Sequence, residues 1–249
     1  MAPLAPPGNV PEPVAPHGGT ALPHHTDAPE LDFGPDLPAA PPRRQRPAYW
    51  AQACQHLLQH DRVMRRLIPR YPDVGQRPRD EAFATLARSV VGQQVSVAAA
   101  RTVWQRLQQR LPALQPADWL ALPPEEQRAL GLSARKAGCL TDIAQRLADG
   151  TLRPRAWPGM DDDAIAQQLM AVRGVGRWTA DMLLLFHLRR PNVLPLDDAG
   201  LLQGISLNSF SGEPVTRHEA REVARAWAPY CSVATWYIWR SLEPSPTAV

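Results

Sequence analysis

Two places in this sequence combine residue types that could do chemistry. Gly174 and Gly176 stand one residue apart between two apolar stretches with helical spacing. Glycines in such a tight hairpin leave backbone N–H groups free and pointing the same way, which makes an anion site without any basic side chain. Farther along, a proline-bearing loop brings two adjacent acids, Asp197 and Asp198, to the start of another helix. A carboxylate there could stabilise developing positive charge or orient a water, and it could equally cap the helix.

Helices must position both features. Before the hairpin, Ile165, Leu169 and Val172 recur at helical spacing, and after it the stretch 177–186 is mostly apolar. The sequence shows no internal repeat, no heptad pattern and no convincing alternating strand. We therefore predict an all-α fold.

The ordered part is predicted to begin with one helix from Tyr49 to about Leu67, which Pro69 and Pro72 end. Its apolar side includes Asp61, so we expect its last turns to be partly exposed. A second helix precedes Gly92, and Ser96 can cap the helix that follows. Between them, Gln93 and Gln94 stand at a helix–helix corner, where two solvated polar residues would be the simplest interpretation.

Composition separates the ends from the core. Residues 1–46 hold 12 of the 28 prolines and no periodic apolar face, so we expect a disordered tail, and we expect a loose end at 242–249. The tail carries a net charge of −2 and the whole chain +3, which leaves +5 on the remainder. That balance is compatible with nucleic acid but does not demonstrate it. Neither a signal peptide nor a membrane span is predicted.

Cysteine and histidine usage gives little support for a metal centre. The three cysteines are scattered, which suits a reducing cytoplasm and excludes sites built on C-x₂-C pairs. His56 and His60 could share a helix face but lack further ligands, and the acid run 161–163 is better explained as helix capping. Lys136 is the only lysine of the chain.

Four motifs, in this order, resemble the helix-hairpin-helix-GPD base-excision DNA glycosylases. They are V-G-Q-Q-V-S at 91–96, L-x-x-V-x-G-V-G-x-W-T-A at 169–180, the proline loop with its acids at 190–200, and W-x-P-Y-x-S-x-A-x-x-x-I-W at 227–239. Together they cover most of residues 49–241. The ending is similar to that of the alkylated-base branch, the DNA-3-methyladenine glycosylases of type II.

The resemblance implies the architecture. It predicts one domain over 47–241, made of two helical subdomains with the active cleft between them. The hairpin would lie in a subdomain of about 80–190, and the second subdomain would combine 47–79 with 191–241.

The resemblance also assigns roles to residues. Asp198 falls on the catalytic position, and Trp178 and Trp239 match the aromatic side chains of the base pocket. Where some relatives carry two pocket tyrosines, this chain has Met182 and Ala199. That difference leaves the range of substrates open.

Several further residues are expected to bind DNA. Gln94 matches the side chain that fills the gap left by an extruded base, with Gln93 as its neighbour. Gly174, Gly176 and Arg177 would contact the backbone of double-stranded DNA. No cofactor is required by the resemblance. A structural Na⁺ or K⁺ is expected on the main-chain carbonyls of three hairpin residues: Met170, Val172 and Val175.

These inferences predict a monomeric, cytoplasmic DNA N-glycosylase that removes alkylated, cationic purines and leaves an abasic site. Strand-nicking relatives use a lysine amine, and they carry it where this chain has Trp178, so we predict a monofunctional enzyme. Two alternatives stay open. The chain could be a helix-hairpin-helix protein that only binds DNA, or a glycosylase for another damaged base.

Overall fold

The computed structural model describes residues 46–72, 74–75 and 81–243. Within these ranges every regular element is helical, which confirms the predicted all-α class. The α-helices, in chain order, are α1 (Trp50–His60), α2 (Arg62–Arg70), α3 (Ala82–Gly92), α4 (Val97–Arg110), α5 (Pro116–Ala121), α6 (Pro124–Ala129), α7 (Ala134–Ala148), α8 (Asp162–Met170), α9 (Arg177–Met182), α10 (Ala199–Ser209), α11 (Arg217–Ala224) and α12 (Cys231–Arg240). None of these helices is long and apolar enough to cross a lipid bilayer. The predicted tail, apart from Arg46, and residues 244–249 lie outside the described residues.

Short polar side chains begin the helices that surround the hairpin. The Ser96 hydroxyl accepts the N–H of Ala99 at the start of α4, and the Ser133 hydroxyl accepts the N–H of Lys136 at the start of α7. Asp161 caps α8, because its Oδ1 accepts the backbone N–H groups of Asp163 and Ala164. Each cap satisfies an N–H that has no partner inside its helix. Capping therefore accounts for Asp161, whereas Asp162 and Asp163 of the same run pair with Arg190 and Arg177.

The first predicted helix is wrong in one respect, because it is two helices that meet at Asp61. The backbone of Asp61 is extended, and its Oδ1 accepts the N–H of Met64, so this residue caps α2. Its Oδ2 accepts the indole N–H of Trp227 at 3.0 Å. Asp61 is consequently buried rather than partly exposed, since two donors replace its water.

Two hydrophobic clusters divide the described part of the chain. The first is built from α3 to α9 and the segments between them, with Trp157, Leu140 and Ile165 fully buried. The second joins α1 and α2 to α10, α11 and most of α12. The two clusters correspond to the two helical subdomains that the sequence analysis predicts. The exact limits given above for the subdomains remain a prediction.

The connection from α9 to α10 crosses from one cluster to the other. After Met182 the helix widens into a π-helical turn, Leu183–His187, and the proline loop follows. The Ser232 hydroxyl at the start of α12 donates to the carbonyl of Arg190 and accepts the N–H of Val193. The beginning of the loop that carries the two acids is thereby fixed to α12.

Candidate active site

The hairpin uses its two glycines differently. Gly174 has a φ of +92°, in the left-handed region, and a Cβ there would lie 3.2 Å from Sγ of Cys139. Gly176 has an ordinary φ of −104°, and nothing lies within 4 Å of the position of a Cβ. It is exposed and is the N-cap of α9. Gly174 therefore permits close packing on α7, whereas Gly176 leaves the surface over the first turn of α9 clear for a phosphate.

The glutamine turn after α3 contacts this hairpin directly. The side-chain nitrogen of Gln93 donates to the carbonyl of Gly174 at 3.1 Å and to the hydroxyl of Thr179 at 2.9 Å. An amide nitrogen carries two hydrogens, so both are used within the protein. Gln93 thus joins the two motifs, and only its carbonyl oxygen is left for its predicted contact with DNA.

Gln94 is arranged quite differently. Its side chain is exposed, and its φ of +53° is uncommon for a residue with a Cβ. The turn therefore projects the side chain of Gln94 outward. Its entry into a duplex remains a prediction. Beside it lies a groove of about 340 Å³ whose lining includes Gln94, Val95 and Lys136. This groove borders the turn and not the acid of the proline loop.

Asp198 lies at the end of the proline loop and is the N-cap of α10. Its Oδ1 accepts the backbone N–H of Leu201 at 2.7 Å and the indole N–H of Trp239 at 2.9 Å. Its Oδ2 accepts the indole N–H of Trp178 at 2.8 Å. The carboxylate is 2% exposed. Asp198 therefore caps α10, as one interpretation of the sequence held. It is also the acid that the resemblance predicts to be catalytic.

Burial raises the pKa of Asp198 above its ordinary value, because the charged form loses water. The hydrogen bonds from Trp178, Trp239 and the backbone of Leu201 and Gly200 act in the opposite direction, since each favours the carboxylate. Its neighbour Asp197 is exposed and pairs with Arg217 at 2.8 Å. The two acids thus have separate environments, and only Asp198 is buried.

The two tryptophans converge on Asp198 from different elements. Trp178 lies in the first turn of α9 and is half-buried, and its ring edge lies 4.0 Å from the position of a Cβ on Gly92. Trp239, on α12, is 6% exposed and stacks on Phe186 with ring centroids 6.0 Å apart. The structure therefore brings the hairpin, the glutamine turn and the catalytic candidate together. The role of both rings as walls of a base pocket remains a prediction.

Met182 and Ala199 occupy the positions where some relatives carry tyrosine. Met182 is buried in the first cluster, and Ala199 is exposed at the first turn of α10. Ala199 therefore presents only a methyl group at the surface next to Asp198, whereas Met182 fills its place with a flexible apolar side chain.

Arg177 is exposed at the start of α9 but is held by two acids. Its Nε lies 2.9 Å from Asp181 and its Nη1 lies 3.0 Å from Asp163. Asp181 is 2% exposed, and burial raises its pKa to about 6, although the Arg177 guanidinium lowers it. Any contact of Arg177 with DNA has to compete with these two ion pairs.

The remaining predicted residues lie near the hairpin. Met170 is exposed at the end of α8, while Val172 and Val175 are buried. The Val172 carbonyl accepts the N–H of Val175 at 3.1 Å, which leaves it one lone pair for a cation. Lys136 lies on α7 and donates to the carbonyl of Val91 at 2.8 Å. Its amine is therefore bonded to the last turn of α3 and not to Asp198.

Two positions that sequence reasoning missed support the site. Asp181 stands four residues after Arg177, a spacing that places both on one helix face and could have indicated the pair. Arg190 donates to the carbonyls of Trp157 and Met160 and pairs with Asp162. No local pattern could have indicated Arg190, because its partners are about thirty residues away.

Comparisons with known proteins find DNA glycosylases among the relatives of this chain. The DNA-3-methyladenine glycosylase 1 of Schizosaccharomyces pombe is 27% identical over 71% of this chain and 79% of its own length. The DNA-3-methyladenine glycosylase 2 of Escherichia coli is 31% identical over 64% of this chain. The chain spans only 57–59% of the length of three bacterial relatives that it matches.

A solved structure gives the same answer for the fold. The 3-methyladenine DNA glycosylase of Schizosaccharomyces pombe in complex with abasic DNA superposes with a TM-score of 0.71 and 27% identity, over 76% of this chain and 96% of the other. The family model that describes the HhH-GPD superfamily base excision DNA repair proteins matches residues 87–229, from within α3 to the residue before Tyr230. These residues contain the glutamine turn, the hairpin and the acid of the proline loop, and the chain belongs to the HhH-GPD superfamily.

Proposed function

We propose that this protein is a monofunctional DNA N-glycosylase that removes alkylated, cationic purines such as 3-methyladenine from duplex DNA and leaves an abasic site. The observation that carries the proposal is the carboxylate of Asp198, buried at the N-cap of α10 and bonded to the indole N–H groups of Trp178 and Trp239. The names of the relatives support the same class of substrate.

The chemistry requires one carboxylate. Cleavage of the bond between C1′ and the base nitrogen sends the bonding electrons to the base and leaves positive charge on the sugar. A cationic alkylated purine becomes neutral when it takes these electrons, so no acid has to protonate it. Asp198 stabilises the sugar cation and orients the water that adds to C1′ and loses a proton.

The other residues present the nucleotide. A base inside a duplex is out of reach, so it must be flipped out, and Gln94 would fill the space it leaves. The N–H groups at Gly174 and Gly176 would hold a phosphate beside the lesion without reading sequence. The carbonyls of Met170, Val172 and Val175 fit a monovalent cation such as Na⁺ or K⁺, since neutral oxygens suit it. Such an ion would add positive charge beside that phosphate.

The decisive experiment compares Asp198→Asn with Asp197→Asn on DNA treated with a methylating agent. We expect wild-type protein and the Asp197 variant to release methylated bases, because Asp197 is paired with Arg217 at the surface. We expect Asp198→Asn to lose release by about 10³-fold while it still binds DNA. Unchanged release in Asp198→Asn would mean that the chain only binds DNA or uses another group.

Duplexes with single lesions complete the test. The panel would contain 3-methyladenine, 7-methylguanine, hypoxanthine and ethenoadenine. Preferential release of the cationic bases supports the proposal, because an electron-rich pocket attracts a cation by about 0.5–2 kcal/mol per ring. Exclusive release of neutral bases would assign the protein to another damaged base.

We also propose that the protein acts as a monomer in the cytoplasm, which gel filtration with and without DNA and fractionation of cells would check.

A further inference from the structure

The two tryptophans contact Asp198 through their N–H groups and not through their ring faces. Nε1 of Trp178 lies 2.8 Å from Oδ2, and Nε1 of Trp239 lies 2.9 Å from Oδ1. An indole N–H only donates, and a carboxylate only accepts, so both contacts suit an ionised Asp198. Phenylalanine could supply an aromatic ring at either position but could not supply this donor. The two hydrogen bonds to Asp198 therefore require tryptophan at these positions and not merely an aromatic ring.

The environment of Trp239 points the same way. Trp239 is 6% exposed, its ring lies parallel to that of Phe186, and it makes a T-shaped contact with Trp236 with ring centroids 5.7 Å apart. Little of its face is open to a base, while its N–H reaches a buried partner. Trp178, by contrast, is half-buried and has both a partly open ring and a bonded N–H.

We propose that Trp178 and Trp239 are positioning residues that act on the reaction through Asp198, by fixing its two oxygens and keeping it ionised although it is buried. This inference rests on the proposed function and assigns the tryptophans a task besides forming a pocket for the base. It predicts that the N–H groups matter even where the aromatic ring is kept.

The charged groups nearby do not supply this stabilisation. On α9, Arg177 is paired with Asp181, and before α10 Asp197 is paired with Arg217. On α12, Arg240 is paired with Glu243. The donors that reach the carboxylate are the two indoles and the backbone at the start of α10. Each of them lowers the pKa of Asp198 and so works against the burial that raises it.

The bonds also distinguish the two oxygens. Oδ1 accepts from Trp239 and from the backbone of Leu201, both on the buried side. Oδ2 accepts from Trp178, whose ring is the more exposed of the two. Oδ2 is therefore the oxygen that faces the sugar and the water, and Trp178 fixes its direction. Fixed direction matters because preorganised charge is what stabilises a developing cation.

The test replaces each tryptophan by phenylalanine, which keeps a ring and removes the N–H. Trp236→Phe is the matched control, because the buried Nε1 of Trp236 has no hydrogen-bond partner among the described residues. Single-turnover base release from methylated duplex DNA is measured from pH 5 to pH 9. We expect Trp178→Phe and Trp239→Phe to move the acid limb to higher pH, with release at pH 5.5 lowered about tenfold more than at pH 8.5. The control should follow the wild-type profile.

A titration of the protein alone provides a second readout. Carboxyl ¹³C signals of aspartate are followed against pH, and Asp198→Asn identifies the signal of Asp198. We expect that signal to titrate at higher pH in Trp178→Phe and Trp239→Phe than in wild type and in Trp236→Phe. If Trp239→Phe does not fold, Trp178→Phe, at the more exposed position, decides the question.

The outcomes separate this inference from the proposed function. An unchanged pH profile and unchanged titration, together with weaker discrimination between cationic and neutral lesions, would mean that the rings act only by stacking, and the inference would be wrong. Absence of base release by wild-type protein would overturn the proposed function. The titration would then still show whether the indoles hold the carboxylate ionised.

Discussion

The indole nitrogen of Trp178 lies 2.8 Å from Oδ2 of Asp198, twenty positions farther along the chain. This bond joins the first turn of the helix after the hairpin to the N-cap of α10. The part of the protein that would hold a phosphate is thereby fixed relative to the carboxylate that would act on the sugar. A displacement of either helix changes the direction of the carboxylate.

Asp198 has a structural task as well as its proposed chemical one, and two substitutions separate them. Asparagine is as good an N-cap as aspartate and can accept the N–H of Leu201, so we expect Asp198→Asn to be inactive and folded. Alanine removes the cap, and we expect Asp198→Ala to be inactive and destabilised by about 1 kcal/mol relative to the asparagine variant. Thermal unfolding checks this. Equal stability of the two variants would contradict the capping role.

The two glycines of the hairpin should respond differently to alanine. At Gly174 a side chain would have to adopt a positive φ and approach Cys139 closely, so we expect Gly174→Ala to lower the free energy of unfolding by roughly 1–3 kcal/mol. At Gly176 a methyl group meets no neighbour, so stability should change by less than about 0.5 kcal/mol. Its affinity for DNA should nevertheless fall about tenfold, because the methyl group would occupy the space over the N–H groups. Fluorescence anisotropy with duplex DNA measures that loss, and wild-type affinity in Gly176→Ala would argue against a phosphate there.

The stability of the fold should depend on pH through Asp181. Burial raises its pKa in the folded state to about 6, above the value of 3.8 for a free aspartate. Protonation therefore favours the folded state, and this advantage, present below about pH 4, is lost as the pH rises through 6. We expect Asp181→Asn to be more stable than wild type at pH 8, by roughly 1–3 kcal/mol, and to lose that difference near pH 4.

The control for this prediction is Asp163→Asn. Asp163 also pairs with Arg177, but its side chain is 72% exposed, so its ion pair should contribute little. Urea unfolding at both pH values provides the comparison. The same gain in stability from both substitutions would show that the effect comes from Arg177 and not from burial of Asp181.

Gln94 should matter most when the target base is fully stacked. We expect Gln94→Ala to release methylated bases about tenfold more slowly from a matched duplex, and to lose less on a mismatched one, because a mismatched base is easier to flip. Gln55→Ala, an exposed glutamine on α1, is the control. Equal losses on both duplexes would exclude a gap-filling role for Gln94.

No covalent intermediate should form with an amine of this protein. The only lysine, Lys136, donates to the carbonyl of Val91, and the resemblance predicts Trp178 at the position where strand-nicking relatives carry their lysine. Borohydride added during turnover should therefore trap no protein–DNA adduct, which mass spectrometry can establish. A trapped adduct would mean that the protein nicks DNA.

Motifs that depend on local backbone chemistry were predictable from the sequence. The hairpin, the caps at Ser96 and Ser133 and the acid at the start of α10 each require specific residue types at fixed spacing, and the structure has them where expected. The helical class followed in the same way, from apolar spacing.

Features that depend on distant partners were not predictable. Asp61 divides the first predicted helix because Trp227, 166 residues away, offers it a donor. The side chain of Gln93 is held by the hairpin and not by solvent, because it donates to Gly174 and Thr179, which lie more than eighty residues farther along the chain. The two indole bonds to Asp198 likewise require the folded arrangement of α9, α10 and α12. A pattern in one segment contains no information about such contacts.

Trp239 belongs to the hydrophobic cluster of the hairpin, although the rest of its helix packs largely in the other cluster. A movement that separates the two clusters would therefore break the bond from Trp178 to Asp198, because Trp178 packs on the first cluster whereas α10 packs in the second. Asp198 would keep both of its indole hydrogen bonds only while the two clusters are in contact.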